Sequence, residues 1–264
     1  MKNMNKNSTY SLDLAQEELY WLAGAFGVAN LPLPDDTWHG YSAHAYDVDL
    51  QKGNASLLAR GLLRSSPGFG WRVDRLPLGI IQSLSSANSL LRVKYIQQNG
   101  ITRTAHFFTM GENALSIEID ADAVHFTLYQ THVAMREAVL NWKNFPHSAT
   151  KAGATYQLPQ PDAFLPIAWK TPALIEKMLN PLRLFAEIKD ISTWVKSLEY
   201  LVLMSNVHIE GQSKRTVGQI SVCGNTENIW GGALENEIVS FVPVLKNDLA
   251  GITDQMIAII GNEK

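Results

Sequence analysis

The stretch RTAHFFTMGEN, Arg103 to Asn113, recurs in outline as RTVGQISVCGN from Arg215 to Asn225. Each copy opens on an Arg-Thr pair and closes on a glycine, Gly111 or Gly224, with one residue of slip. A strand-and-turn shape that returns in the second half of a chain points to two copies of one supersecondary unit. The period is too long, and the copies too few, for a solenoid. The histidine of the first copy is not kept, because Gly218 or Gln219 stands where His106 stands. What recurs is shape, not chemistry.

Around each copy the hydrophobic period is two. Leu91, Val93 and Tyr95 alternate with Arg92 and Lys94, and QQNG then turns the chain at Asn99-Gly100, a strong hairpin signal. Ile101 to Met110 returns, MGEN turns again, and Leu115, Ile117 and Ile119 alternate with Ser116, Glu118 and Asp120. Val124, Phe126 and Leu128 alternate with His125, Thr127 and Tyr129. This predicts a four-strand antiparallel meander with one apolar and one mixed face. A helix over 132–142 follows, with Met135, Ala138, Val139 and Trp142 on one side. The second half offers EYLVLMSNV, RTVGQISVC, NIWGGAL and IVSFVPV as strands. A helix follows, carrying Leu245, Leu249, Ile252, Met256 and Ile259 and ending at Gly261. Helices, four strands and a helix, twice over, predict an α+β fold. Its central antiparallel sheet or sheets come from two pseudo-twofold-related halves, flanked by helical bundles.

Residues 1–11 are expected to be disordered. A helix is expected from Asp13 to Phe26: Asp13 and Gln16 have capping-box spacing, and Leu19, Leu22, Ala23 and Phe26 form one face. TWHGYSAHAYDVDL alternates weakly, which predicts a strand over 43–50; NASLLARGLLRSS predicts a short helix capped by Asn54, and PLGIIQSLSSAN a further helical turn or two. Residues 143–170 hold four of the 11 prolines and read as an irregular surface crossing. Beyond it, Thr171 caps and Pro172 starts a helix with a Leu174, Met178, Phe185 stripe, kinked by Pro181, and a short helix covers 191–196. The expected organisation is a first half over 12–142, the crossing, and a second half over 171–264, together one compact domain.

Twenty-two Lys and Arg against 25 Asp and Glu argue against sequence-independent nucleic-acid binding, which rests on neutralising phosphates. The lone Cys223 forms no internal disulfide, so a reducing, cytoplasmic setting is expected. Asp13, Glu17 and Glu18 interrupt the apolar run near the start, unlike a secretory signal. No window is long and uncharged enough for a membrane span, and no membrane insertion is expected.

Candidate chemistry is sparse. On an alternating strand His106 shares a face with Thr102, Thr104 and Phe108, and a general base there needs an orienting carboxylate, in place of which a nearby strand offers only His125 or Tyr129. The enzymatic alternative is a hydrolase using His106 with Glu118 or Asp120, or a metal site at His39 and His44. The carboxylates of EIDAD lack the glycine and later glutamate of a calcium loop, and the spacing of His39 and His44 fits neither a helix face nor a strand face. Cys223, with His208 the nearest histidine in sequence, reads as a small buried hydrophobe. No phosphate-cradling glycine motif is present. Trp21, Trp142 and Trp194 read as core; Trp38, Trp71 and Trp169, placed in loops, are candidate interface anchors. No catalytic residue, metal or cofactor is assigned.

LDLAQEELYWLAGAFGVANLP resembles the L-T-x-E-E-L-x-x-L-x-x-x-L-G opening of the EspG-like chaperones of ESX (type VII) secretion. LLARGLL, Leu57 to Leu63, resembles the L-x-x-R-G-L helix that follows in that family. ITRTAHFFTMGENALSIEI is similar to its arginine-bearing hairpin, and IVSFVPVLKNDLAGITDQMI to its closing strand and helix. The resemblance implies an α+β fold and a cytoplasmic, non-enzymatic chaperone or adaptor. Such a protein keeps a secreted helical partner, possibly a heterodimer, soluble. It also implies partner contacts at the turn Gln97, Gln98, Asn99, Gly100 and on helix residues Leu174, Met178 and Phe185. The QQNG turn is short where relatives carry long loops, so the PE/PPE clients usual in the family need not be this chain's.

Overall fold

In the computed structural model the described residues are 9–28, 31, 43–66, 68, 70–119, 123–141, 154–179, 188–210, 213–235 and 237–262. Strand β1 (Thr9–Ala15) runs directly into helix α1 (Gln16–Ala25), followed by α2 (Ala43–Ala59). A small hairpin, β2 (Leu63–Ser66) and β3 (Gly70–Val73), leads to α3 (Arg75–Ser85). The first meander is β4 (Ser89–Gln97), β5 (Thr102–Met110), β6 (Asn113–Ile119) and β7 (Ala123–Tyr129), closed by α4 (His132–Asn141). The second half starts with β8 (Tyr156–Pro159) and α5 (Pro161–Lys170). A 3-10 turn (Pro172–Leu174), α6 (Ile175–Leu179) and α7 (Ile188–Ser197) come next. The second meander is β9 (Tyr200–Glu210), β10 (Ser213–Gly224), β11 (Ile229–Glu235) and β12 (Ile238–Pro243), closed by α8 (Lys246–Asn262).

Ten strands form one antiparallel sheet in the order β1-β7-β6-β5-β4-β9-β10-β11-β12-β8. The two meanders meet at β4 and β9, whose register runs from Ser89 opposite His208 to Gln97 opposite Tyr200. Each meander gains an outer strand from its own N-terminal side, β1 on β7 and β8 on β12. The recurring Arg-Thr pairs fall on β5 and β10, the strands flanking the central pair.

Helices pack on both faces of the sheet. One face carries α4 and α8 over Leu91, Val93, Tyr95, Phe107, Val202 and Met204. The other carries two separate helical layers. The helices α1 to α3 pack over Leu90, Phe108, Ile117, Phe126 and Val207. The helices α5 to α7 pack over Ile96, Leu201, Leu203, Trp230 and Phe241. In that second layer Trp194 stacks on Tyr156 at 4.2 Å and meets Trp230 edge-on at 5.6 Å.

Several expectations are revised. Thr9, Tyr10 and Ser11 belong to β1 rather than to a disordered tail, and Asp13 lies in that strand, so Ala15 stands at the N-cap. There the carboxylate of Glu18 accepts the Ala15 amide at 2.9 Å. The strand expected over 43–50 is the first half of α2, in which Asn54 is internal. Ala43, Ala45 and Leu50 are good helix formers, and continuity into SLLA outweighs a weak alternation. Within the expected crossing, 154–170 are ordered as β8 and α5. Pro161 sits at the first helical position, where no amide donor is needed, and Pro166 forgoes one intrahelical bond. On α8 the buried face is Leu249, Thr253, Met256, Ile257 and Ile260, while Leu245 precedes the helix and Ile259 is exposed. Pro181 and Trp142 lie outside the described residues.

Candidate functional site: a cationic cleft between two helical layers

The two helical layers on one face of the sheet leave its centre open between them. Side chains on β4 that point this way are Leu90, Arg92, Lys94 and Ile96; the end residues enter the two apolar layers and the middle pair does not. A cleft of about 110 Å³ forms there, floored by Arg92 and Lys94 of β4 and Thr104 of β5. Leu203 and Ser205 of β9 and Gln219 of β10 complete the floor, and Asp162, at the start of α5, lies on the rim. Cross-strand register explains the grouping: Lys94 lies opposite Thr104 and Leu203, Arg92 opposite Ser205, and Ser205 opposite Gln219. Ser205 is 2% exposed, while Arg92 and Lys94 are half-buried. Lys94 has no ion-pair partner among the described residues. Arg92 and Lys94 thus share a partly desolvated cleft with one acid, Asp162.

The pairing of His106 with Glu118 loses its geometry. His106 is 2% exposed and lies opposite Ile117, with its ring edge-on to Phe108 at 6.4 Å. Glu118 lies opposite Ala105 and His125, on the other face of the sheet. Adjacent register positions point to opposite faces, so His106 and Glu118 are kept apart by the backbone itself. Tyr129, opposite Ala114, also lies on the far face. Its hydroxyl is 3.0 Å from that of Ser116, and burial raises its pKa. Asp120 and His39 lie outside the described residues, and of His44 only the backbone, in α2, is described. Among the described residues no three His, Cys, Asp or Glu side chains group to hold a metal ion. Cys223 is fully buried opposite Leu201 and Trp230, remote in register from His208, and burial pushes its thiol well up. A protonated, enclosed thiol is a poor nucleophile.

The turn expected to meet a partner is present between β4 and β5. Gly100 takes a left-handed φ of 88°, and Asn99 Oδ1 accepts the Ile101 amide at 3.1 Å. Gln97 is half-buried, and Gln98, Asn99 and Gly100 are exposed. Gln98 ties the turn to the second half: its backbone amide donates to Glu199 O at 2.9 Å and its side-chain amide to Lys196 O at 3.3 Å. Leu174, in the 3-10 turn, and Met178, in α6, are half-buried, and α6 packs on α7. Phe185 lies outside the described residues. Trp71 is on β3, not in a loop, and is 52% exposed, edge-on to Trp21 at 6.4 Å. Trp169 is on α5 and donates to Val195 O at 3.1 Å, so it is a packing residue rather than a free anchor. Trp38 lies outside the described residues.

No family model matches the chain, and no curated protein matches it. A solved structure does. The chain is similar to the Mycobacterium tuberculosis type VII secretion system chaperone EspG5, solved in complex with the PE25-PPE41 dimer. The TM-score is 0.62 at 9% sequence identity, over 94% of this chain and 96% of that one. At that identity the likeness is one of fold, and it covers both halves, not a shared fragment. The cationic pair on β4 was missed in sequence; the signal was there, since Arg92 and Lys94 interrupt an otherwise apolar face of a central strand.

Among the described residues no helix is long and apolar enough to cross a membrane.

Proposed function

We propose that this chain is a non-enzymatic binding protein: a cytoplasmic chaperone or adaptor for a helical protein substrate of a type VII-like secretion system. One observation carries the reading. The chain shares its fold, over nearly the whole of both chains, with a chaperone solved together with its client dimer. The turn at Gln97, Gln98, Asn99 and Gly100, together with Leu174, Met178 and Phe185, borders the partner surface in this reading. Support for the turn comes from the bracing of Gln98 against the end of α7, which puts first-half and second-half elements in one place. The matched strand order about β4 and β9 supports a pseudo-twofold relation between the halves.

The test is co-expression of the tagged chain with protein pairs encoded beside it and a secretion ATPase, followed by size-exclusion chromatography. A stoichiometric complex with one such pair is the expected result. Failure of every pair from that locus to co-elute contradicts the reading.

A further inference from the structure

We propose that the outer face of the β2–β3 ribbon docks a helix of the protein partner through two carboxylates one turn apart, one on Arg64 and one on Arg72. This rests on the reading of the chain as a binding protein for a helical partner. In a chain with a net charge of −3, four of the nine arginines fall between positions 60 and 75, with Asp74 the one acid among them. Arg60 is committed to Glu18, and Asp74 turns its carboxylate to the Leu76 amide at 3.1 Å as the cap of α3. Arg64 and Arg72 are both exposed and lie directly opposite each other in the ribbon. Neither has an ion-pair partner among the described residues. Like charges facing across a strand pair destabilise it, and strands of four residues have little else to hold them. The ribbon is held instead by its inner face, where Leu63, 1% exposed, lies opposite Val73 and joins the apolar layer of α1 to α3. Trp71 lies on that inner face too, edge-on to Trp21 of α1 at 6.4 Å. The outer face is left with two adjacent guanidinium groups, whose planar forks suit carboxylates.

Spacing and charge select the occupant. Side chains directly opposite on a strand pair stand about 4.5–5.5 Å apart at Cβ, close to the about 5–6 Å between residues i and i+4 on a helix. Two glutamates one turn apart therefore reach both guanidinium groups together. Nucleic acid fits poorly, because its affinity rests on neutralising many phosphates and this face offers two cations in an acidic chain. An anionic bilayer fits poorly as well. It takes up tryptophan and cations on one surface, whereas Trp71 and the two arginines lie on opposite faces of the ribbon.

Two arms test this. In the first, the full chain is added to labelled alanine-based helical peptides of about 18 residues, and binding is read by fluorescence anisotropy. One peptide carries glutamates at i and i+4, one carries them at i and i+2, and one carries glutamines at i and i+4. The i, i+4 glutamate peptide is expected to bind at least about 5-fold more tightly than either other. Substituting both arginines, Arg64→Glu with Arg72→Glu, is expected to abolish that preference while keeping the far-UV circular dichroism of the wild type, since both positions are exposed. Arg72→Glu alone puts opposite charges across the ribbon, so it is expected to weaken peptide binding while raising the melting temperature by about 1–2 °C. Equal binding of the three peptides, or a preference that survives the double substitution, overturns the site. A lower melting temperature for Arg72→Glu overturns it too, because the arginines would then not face each other. Pelleting of the chain with phosphatidylserine vesicles that is lost in the double variant assigns the arginines to a membrane and overturns the inference. In the second arm, a client pair that co-elutes with the chain is expected to bind the double variant at least about 10-fold more weakly at low salt. A client that binds the double variant at wild-type strength overturns this inference and leaves the chaperone reading standing. A chain that prefers the i, i+4 glutamate peptide but takes no client supports the site and contradicts the chaperone reading.

Discussion

Arg60 donates through its guanidinium to the carboxylate of Glu18, joining the C-terminal end of α2 to the first turn of α1 across 42 residues of chain. Glu18 is fully buried, and the remaining capacity of its carboxylate is used by the Ser56 hydroxyl at 2.7 Å and the Ala15 amide at 2.9 Å. Arg60 also donates to Asp13 O at 2.7 Å, so one side chain ties α2 to both β1 and α1. The two short motifs that carry the family resemblance, EEL and LLARGLL, therefore meet in space. Gly61 ends α2 with a left-handed φ of 70°, and the Leu62 amide closes back on Leu57 O at 3.0 Å.

Removing Arg60 leaves a buried carboxylate without its countercharge. Arg60→Ala is expected to cost about 2 kcal/mol, at the low side for such pairs because Arg60 is 40% exposed. A double-mutant cycle with Glu18→Gln, read by urea unfolding, should give a coupling of at least about 1 kcal/mol. Additive losses would show that the pair is incidental.

Two glycine-to-alanine changes should have opposite signs. At Gly53, a Cβ would lie 2.1 Å from Glu17 O, so α1 and α2 touch through backbone there. Gly53→Ala is expected to destabilise by about 1–3 kcal/mol despite its helix propensity. Gly79, exposed on α3, has nothing within 4 Å of a Cβ, and Gly79→Ala should stabilise by about 0.5–1 kcal/mol. Thermal melts of the two variants decide it; equal shifts would mean that α1 and α2 do not approach as described.

The buried thiol sets an alkaline limit. Burial raises the Cys223 pKa above its unfolded value, so only the unfolded chain releases this proton as pH rises. The stabilisation is complete below about pH 8.5 and falls above it. Urea midpoints measured from pH 7 to 9.5 should decline for the wild type and decline less for Cys223→Val. Rapid labelling of the native thiol at pH 8 would contradict the burial.

The meander, its turns and α4 were legible in the sequence because Leu91 to Tyr129 keep a period of two and Asn99-Gly100 permits a tight turn. The first strand was not. In Thr9–Ala15 the run of Asp13 to Gln16 looks like a helix cap, and pairing with β7, over 100 residues away, decides otherwise. The same holds for 43–50, where a short alternation lost to a helix whose close contact with α1 depends on Gly53. For His106 and Glu118 the residue types suggested chemistry, but their register puts them on opposite faces. The cleft was hidden for another reason. It needs Arg92 and Lys94 beside Ser205 and Gln219, which lie more than 100 residues along the chain and join only when β4 pairs with β9.

That the chain keeps a helical client dispersed is the core of the proposed function. Its most direct test is static light scattering of a client pair from the same locus, diluted from denaturant with and without an equimolar amount of this protein. Scattering is expected to be suppressed at one-to-one stoichiometry, and substituting Gln98, Leu174 and Met178 with alanine together is expected to restore most of it. Scattering that rises equally with and without the protein would contradict it.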